Sequence, residues 1–296
     1  MPRRKEGERE RERERERESM KQNNDDYQVV PYPKDRRAAA VLYSTVQRKP
    51  MMHGLIEVDV TRARAFLREH KAKTGESLSF TAFLATCLGK AVDENKSVQA
   101  CRKGRKHLIL FDDVDVTTRI ERDVSGQKQI INYTIRAANR KTFREVHHEI
   151  RAAQVEDVAK ALERYQAFQF LPTLLLRFLL WVLGRYPQVQ KKYGGTVGLR
   201  AVGMFGEGAG WGIPSPTPTL MITVGGIGEK PGVVDGHIAI REYLSLTISF
   251  DHDMIDGAPA ARFTQRLKDL IESGYGLDES TVEPQQTVAP GASKKS

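Results

Sequence analysis

The sequence predicts an α/β fold, on three observations. The stretch 244–274 reads as strand, tight connection and helix: Leu244, Leu246, Ile248 and Phe250 alternate with polar residues, and from Ala258 the apolar residues Ala260, Phe263, Leu267, Leu270 and Ile271 recur at helical spacing up to Gly274. Other strand-like runs at 107–135 and 217–241 are interleaved with amphipathic stretches at 61–73, 79–93 and 142–164. Asp235-Gly236 sits between two apolar runs, as in a β-hairpin.

The chain has 296 residues, enough for one large domain or two small ones. Residues 1–31 begin with a tract of alternating Arg and Glu and continue as a polar linker. Alternation of charge leaves no apolar stripe, so this region is expected to be disordered, and without an apolar run it is not a signal peptide. Residues 32–276 are expected to form one folded domain, and the polar, Pro-containing stretch 277–296 a disordered tail.

Thr61 is expected to cap a helix ending at Gly75, and a second helix runs from Ser79 to about Asp93 with Phe83, Leu84, Cys87, Leu88, Ala91 and Val92 on one face. Strands at 107–135 meet at Ser125-Gly126, and a long helix is expected from Thr142 to about Arg164. The stretch 165–186 is the most apolar. Pro172 and Arg177 interrupt it, and a membrane span needs roughly 20 mostly apolar residues, so it reads as a helix packed on the core or on another subunit. The second reading is peripheral membrane contact, given Arg177, Arg185, Lys191 and Lys192 nearby. A buried strand over 217–231 ends in a Gly-rich turn. The Gly-rich pieces GEGAGWG and GGIG lack the order of a dinucleotide fingerprint and read as turns.

The net charge of +9 invites a nucleic-acid reading, but no RNP, zinc-finger or helix-turn-helix pattern accompanies it. A positive surface equally attracts an acidic protein or the phosphates of a nucleotide-bearing substrate. Cys87 and Cys101 read as reduced thiols, which points to the cytoplasm. No Cys/His cluster has zinc-site spacing, and the adjacent His147 and His148 read as surface residues, so no metal is expected.

The candidate site is His252, at the end of the last strand, followed by Asp256 and Gly257 as H-x-x-x-D-G. An imidazole held there can exchange a proton near neutral pH. The motif alone is a weak signal. Its flanks, SFDHDMIDGAPAARFTQRLKDLI, resemble the C-terminal signature of the dihydrolipoyl acyltransferase cores of 2-oxo-acid dehydrogenase complexes, relatives of chloramphenicol acetyltransferase. Three further pieces share the likeness. Pro50, His53, Val58, Asp59 and Val60 stand, to within one position, in the family's P-x-H-x-x-x-x-V-D-V. FDDVDV and IRAANRKTF match its middle region, and GGTVGLRAVGMFG its G-G-T-F-T-I-S-N-L-G-M-F-G strand.

The resemblance covers roughly residues 32–275 and implies a mixed-sheet α+β sandwich of the chloramphenicol acetyltransferase type. It implies an acyltransferase with His252 as general base, moving an acyl group between coenzyme A and a thiol such as dihydrolipoyl. Coenzyme A would be a substrate, with no tightly bound cofactor, and a lipoyl group would arrive on another protein. The family assembles as trimers with the site between subunits, so a homotrimer or higher homo-oligomer is implied. Asp256 is expected to fix the loop and Gly257 to allow a close turn. Four departures stand out, one being the apolar stretch 165–186 where the family has a shorter, more polar link. Arg200 falls where the family has its oxyanion-stabilising Ser or Thr, Asp253 where it has Arg, and RDVSGQKQ replaces a stretch rich in Gly and Pro. Arg200 would supply the oxyanion donor, fill the channel or leave no donor. The alternatives to the thiol acyltransferase are therefore an impaired core serving as an assembly module, and acyl transfer to a small hydroxyl compound.

Overall fold

The structure is a computed structural model. It describes residues 49–124, 127–155, 173–201, 208–215 and 218–278, with a few positions among 30–44. The charged tract, residues 279–296, the end of the expected long helix and the first part of 165–186 lie outside the described residues.

A six-stranded mixed sheet organises the chain. Its strands are β1 (Met51–Asp59), β4 (Val116–Val124), β5 (Gln127–Ile135), β6 (Val197–Ala201), β7 (Leu220–Val234) and β8 (His237–Asp251). The order is β1-β8-β7-β6-β4-β5. β6 runs parallel to both neighbours, and every other pairing is antiparallel. The short β2 (Cys101–Lys103) and β3 (His107–Ile109), of which β2 has no counterpart in the sequence reading, form a separate ribbon. The helices are α1 (Thr61–Thr74), α2 (Phe80–Glu94), α3 (Phe143–Val155), α4 (Thr173–Arg185), α5 (Pro187–Gly194) and α6 (Gly257–Glu272). The α/β class expected from the sequence is the class observed.

The core lies between the sheet and α2, α3 and α6. Val116 and Ile120 of β4, Leu199 of β6, Ile222 of β7 and Leu244, Leu246 and Ile248 of β8 meet Phe83, Leu88, Phe143, Phe263 and Leu267 of the helices, all buried. α2 is buried nearly all round, from Ala82 to Val92, so it is the central helix. Ser79 caps it by accepting from the Ala82 N–H, 3.2 Å. Burial pushes the Cys87 thiol pKa up, as fits a core residue.

Four local readings need correction. Thr61 does not cap α1: the carboxylate of Asp59 accepts from the Thr61 N–H (2.9 Å), while the Thr61 hydroxyl accepts from the Glu242 N–H (2.8 Å). His147 is buried, not a surface residue. It shares the inner face of α3 with Phe143, Val146 and Ile150, its Nδ1 accepts from the Ser79 N–H (3.1 Å), and its Nε2 lies 3.2 Å from Glu76. GGIG is not a turn. β7 continues through it, with a bulge between Val224 and Ile227. The backbone of 208–210 lies against that bulge, and a Cβ on Gly225 would stand 2.0 Å from the Gly210 carbonyl oxygen. Glycine is needed there for close backbone approach.

The fourth concerns β8, whose alternation suggested a strand with one wet face. Its second face is covered as well: Ser245, Thr247 and Ser249 are fully buried. Gly210 donates to the Ser245 hydroxyl (3.2 Å), and His53 Nδ1 lies 2.8 Å from the Ser249 hydroxyl. The Asp235-Gly236 hairpin is as expected, with both residues at positive φ (49° and 80°).

Candidate active site

His252 sits just past the C-terminal end of β8, on a loop fixed from several sides. Its N–H donates to the Pro50 carbonyl at the entry to β1 (2.8 Å), and the Asp251 N–H donates to Thr219 O at the entry to β7 (2.9 Å). The Asp251 carbonyl accepts from Met254 (3.0 Å) and Ile255 (3.1 Å), which turns the chain back on itself. The Asp251 carboxylate accepts from the Asp253 N–H (3.2 Å) and pairs with Lys49 Nζ (3.0 Å). Asp251 is buried, so this pairing offsets the cost of holding its charge away from water.

The sequence reading did not find this role for Asp251, nor Lys49. An Asp that opens a turn is a recognisable local signal. A lysine that reaches the loop from the entry to β1 leaves none in the sequence.

The His252 side chain is 50% exposed, while its backbone is anchored to Pro50. Asp256 is the N-cap residue of α6, with no side-chain cap bond, and its carboxylate lies 4.0 Å from His252 Nδ1. It is 88% exposed, a loose partner within this protomer. Gly257 opens α6 without a left-handed φ, and a Cβ there would meet nothing within 4 Å, so neither a close turn nor positive φ requires glycine. Asp253 is exposed beside a cavity of about 220 Å³ on the inner side of the loop, which Lys49, Cys101, Lys191 and Met254 also line.

Arg200 is elsewhere. On β6 it is in register with Thr223 of β7 and Thr247 of β8, and its Nη1 donates to Asn132 Oδ1 on β5 (2.8 Å). Thr247 precedes His252 by five positions, roughly 16 Å of strand, and Arg200 lies a further roughly 10 Å across the sheet. One protomer therefore presents His252 and Asp256 together and Arg200 apart from them.

A cavity of about 500 Å³ lies towards the other end of β8. Arg64, Phe80, Val224, Glu229, Glu242 and Leu244 are among its lining residues, and His252 is not. Burial by itself would raise the Glu242 pKa, but hydrogen bonds and charge from Arg68 and Arg64 outweigh it and hold the carboxyl low. This is an ionic clamp of α1 on β8.

Among the described residues, Glu76, His147 and His148 bring ligand atoms within 4.8 Å of one another. The Arg144 guanidinium occupies that carboxylate at 2.6 Å and holds its pKa at about 2.

The family model for the 2-oxoacid dehydrogenases acyltransferase catalytic domain matches residues 24–170 and 171–277. The lipoamide acyltransferase component of the branched-chain alpha-keto acid dehydrogenase complex of Bacillus subtilis is 26% identical over 234 residues, 77% of this chain and 47% of that protein. The chain thus spans about half the length of that relative. A probable dihydrolipoamide acetyltransferase of Listeria monocytogenes superposes with a TM-score of 0.62 at 23% identity, over 84% of this chain and 95% of the other. A dihydrolipoamide acetyltransferase of Azotobacter vinelandii, studied for a serine, a histidine and an asparagine in its catalytic mechanism, gives 0.63 at 21%, over 86% and 96%.

Proposed function

Because the chain belongs to the 2-oxoacid dehydrogenase acyltransferase catalytic-domain family, we propose that it moves an acyl group between coenzyme A and a second thiol, with His252 as general base. The observation that carries this reading is His252 itself: a half-exposed imidazole on a loop anchored to the entries of β1 and β7. The acceptor that fits the relatives is a dihydrolipoyl group carried on another protein.

A free thiol has a pKa of about 8.5 and is mostly protonated at neutral pH. Neutral His252 takes the thiol proton as sulfur attacks the thioester carbonyl. A tetrahedral intermediate forms with the negative charge on oxygen. As it collapses, the C–S bond to the first thiol breaks, and the imidazolium returns its proton to the departing sulfur. Atoms and charge balance with no further reactant.

The oxyanion needs a donor. In the Azotobacter enzyme the serine and histidine are as far apart in sequence as Arg200 and His252, and its asparagine follows the histidine at the distance of Asp256. Arg200 therefore takes the oxyanion position, with a permanent charge in place of a hydroxyl. Its separation from His252 within one protomer supports a site completed by the Arg200 strand of a neighbouring copy. The β7–β8 ribbon supports self-assembly, because Val233, Ile238 and Ile240 share one of its faces and are 75–80% exposed. A trimer or a larger multiple is the assembly this reading requires.

The test is a time course of acetyl transfer from acetyl-coenzyme A to dihydrolipoamide, with the S-acetyl product separated by chromatography. Saturable, protein-dependent product formation is expected. Folded, oligomeric protein that forms no product above the buffer rate contradicts the reading.

A further inference from the structure

α4 and α5 form a helical pair. α5 is tied to the sheet, since the Arg136 guanidinium donates to the carbonyls of Lys191 and Lys192 and pairs with the buried Asp115 carboxylate. Pro187, at the start of α5, is buried. Among the described residues α4 packs on α5 and turns an apolar face to solvent. Leu174 is 80% exposed, Phe178 61% and Trp181 63%. At helical spacing these three fall in one stripe, with Leu175 on one shoulder, Arg177 on the other and Arg185 at the C-terminal end. Phe178 and Trp181 stack on each other, with ring centroids 6.2 Å apart.

Positive charge runs along the helical pair, although Lys191 Nζ at its far end lies 3.7 Å from the Asp113 carboxylate. From Arg164 to Gly206 the chain contains no Asp or Glu, while Arg177, Arg185, Lys191 and Lys192 follow one another along the helical pair. We propose that α4 is a membrane-surface helix: it lies in the plane of an anionic bilayer, with Leu174, Phe178 and Trp181 among the acyl chains and Arg177 and Arg185 at the lipid phosphates.

Charge decides the occupant. Docking two copies through this face would bring Arg177 and Arg185 of each together, which like charges oppose, whereas an anionic lipid surface neutralises them. The arginine stems reach past the apolar stripe to the headgroups, and the Trp181 ring suits the boundary between headgroup and acyl chain. The thirteen described residues of α4 rise about 20 Å against a hydrocarbon core of about 30 Å. Among the described residues no helix is long and apolar enough to cross a membrane. The exposure of Leu174, Phe178 and Trp181 goes against the first half of the sequence-based expectation, packing on this chain's own core; the second half, packing on another subunit, is decided by the oligomer size of the Trp181→Glu variant. The inference is independent of acyl transfer.

Its test is co-sedimentation of the full chain with vesicles of phosphatidylcholine alone and of phosphatidylcholine mixed with phosphatidylserine. Binding to the mixed vesicles is expected to be at least about tenfold tighter and to fall as salt rises. Trp181→Glu and, separately, Arg177→Gln with Arg185→Gln are each expected to weaken it about tenfold or more. These side chains are exposed, and unchanged circular dichroism verifies the fold. Failure to sediment with either vesicle, equal sedimentation with both, or wild-type binding by Trp181→Glu overturns the proposal. So does a change of oligomer size in Trp181→Glu, which would assign the face to a second copy.

Discussion

His252 is held by its neighbours in sequence and by two strand entries, and the side chain doing most of the holding is Asp251. Replacing Asp251 with Asn removes the charge that Lys49 faces and weakens the acceptor for the Asp253 N–H. Asp251→Asn is expected to lower kcat for acetyl transfer with little change in KM, and to cost about 1–3 kcal/mol in urea unfolding. A raised KM with unchanged kcat would move Asp251 out of the positioning role. At Glu76 the sign of the pH dependence follows from its environment. The Arg144 hydrogen bond, against a smaller opposing effect of burial, brings its pKa from 4.5 to about 2. A depressed carboxyl stabilises the fold above its unfolded pKa, and that stability is lost as pH falls from about 4.5 towards about 2. Glu76→Gln should therefore be less stable than wild type at neutral pH, with the difference shrinking across that window. Urea midpoints measured at several pH values check this, and a constant difference contradicts it. The His252 motif was legible because its flanks are local in sequence. Lys49 was not, because its partner is two hundred residues away. The burial of His147 was not either, since a histidine beside an apolar stripe reads equally well on either side of it.

Among the elements, helices that carry their own stop and start signals were legible. Gly75 takes the left-handed conformation after α1, and Ser79 caps α2. The β7–β8 hairpin was legible for the same reason. The course of β7 through Gly225 and Gly226 was not, because what demands glycine there is a distant backbone segment. Gly226→Ala would place a Cβ 1.8 Å from the Gly208 carbonyl oxygen. Relief requires the 208–210 segment to lift from β7. The expected cost is about 2 kcal/mol or more in thermal or urea unfolding. A variant as stable as wild type would mean that this segment is not packed as described. α4 shows the opposite limit: its apolar character was plain, but periodicity does not state what covers an apolar face.

At the scale of the molecule, one protomer holds His252 at one end of the sheet and Arg200 well away from it, so assembly and activity are coupled in this account. Placing lysine on the exposed face of the β7–β8 ribbon, as Ile238→Lys with Ile240→Lys, is expected to shift the protein to smaller species in sedimentation velocity and to reduce acetyl transfer in parallel. Full activity in a monomer contradicts a shared site. The central claim is that the His252 imidazole carries the proton. Its most direct measurement is the rate of acetyl transfer between coenzyme A and dihydrolipoamide for wild type and His252→Ala at matched oligomer size. The account predicts a loss of about 100- to 10,000-fold in kcat with a nearly unchanged KM. Equal rates for the two proteins would contradict it.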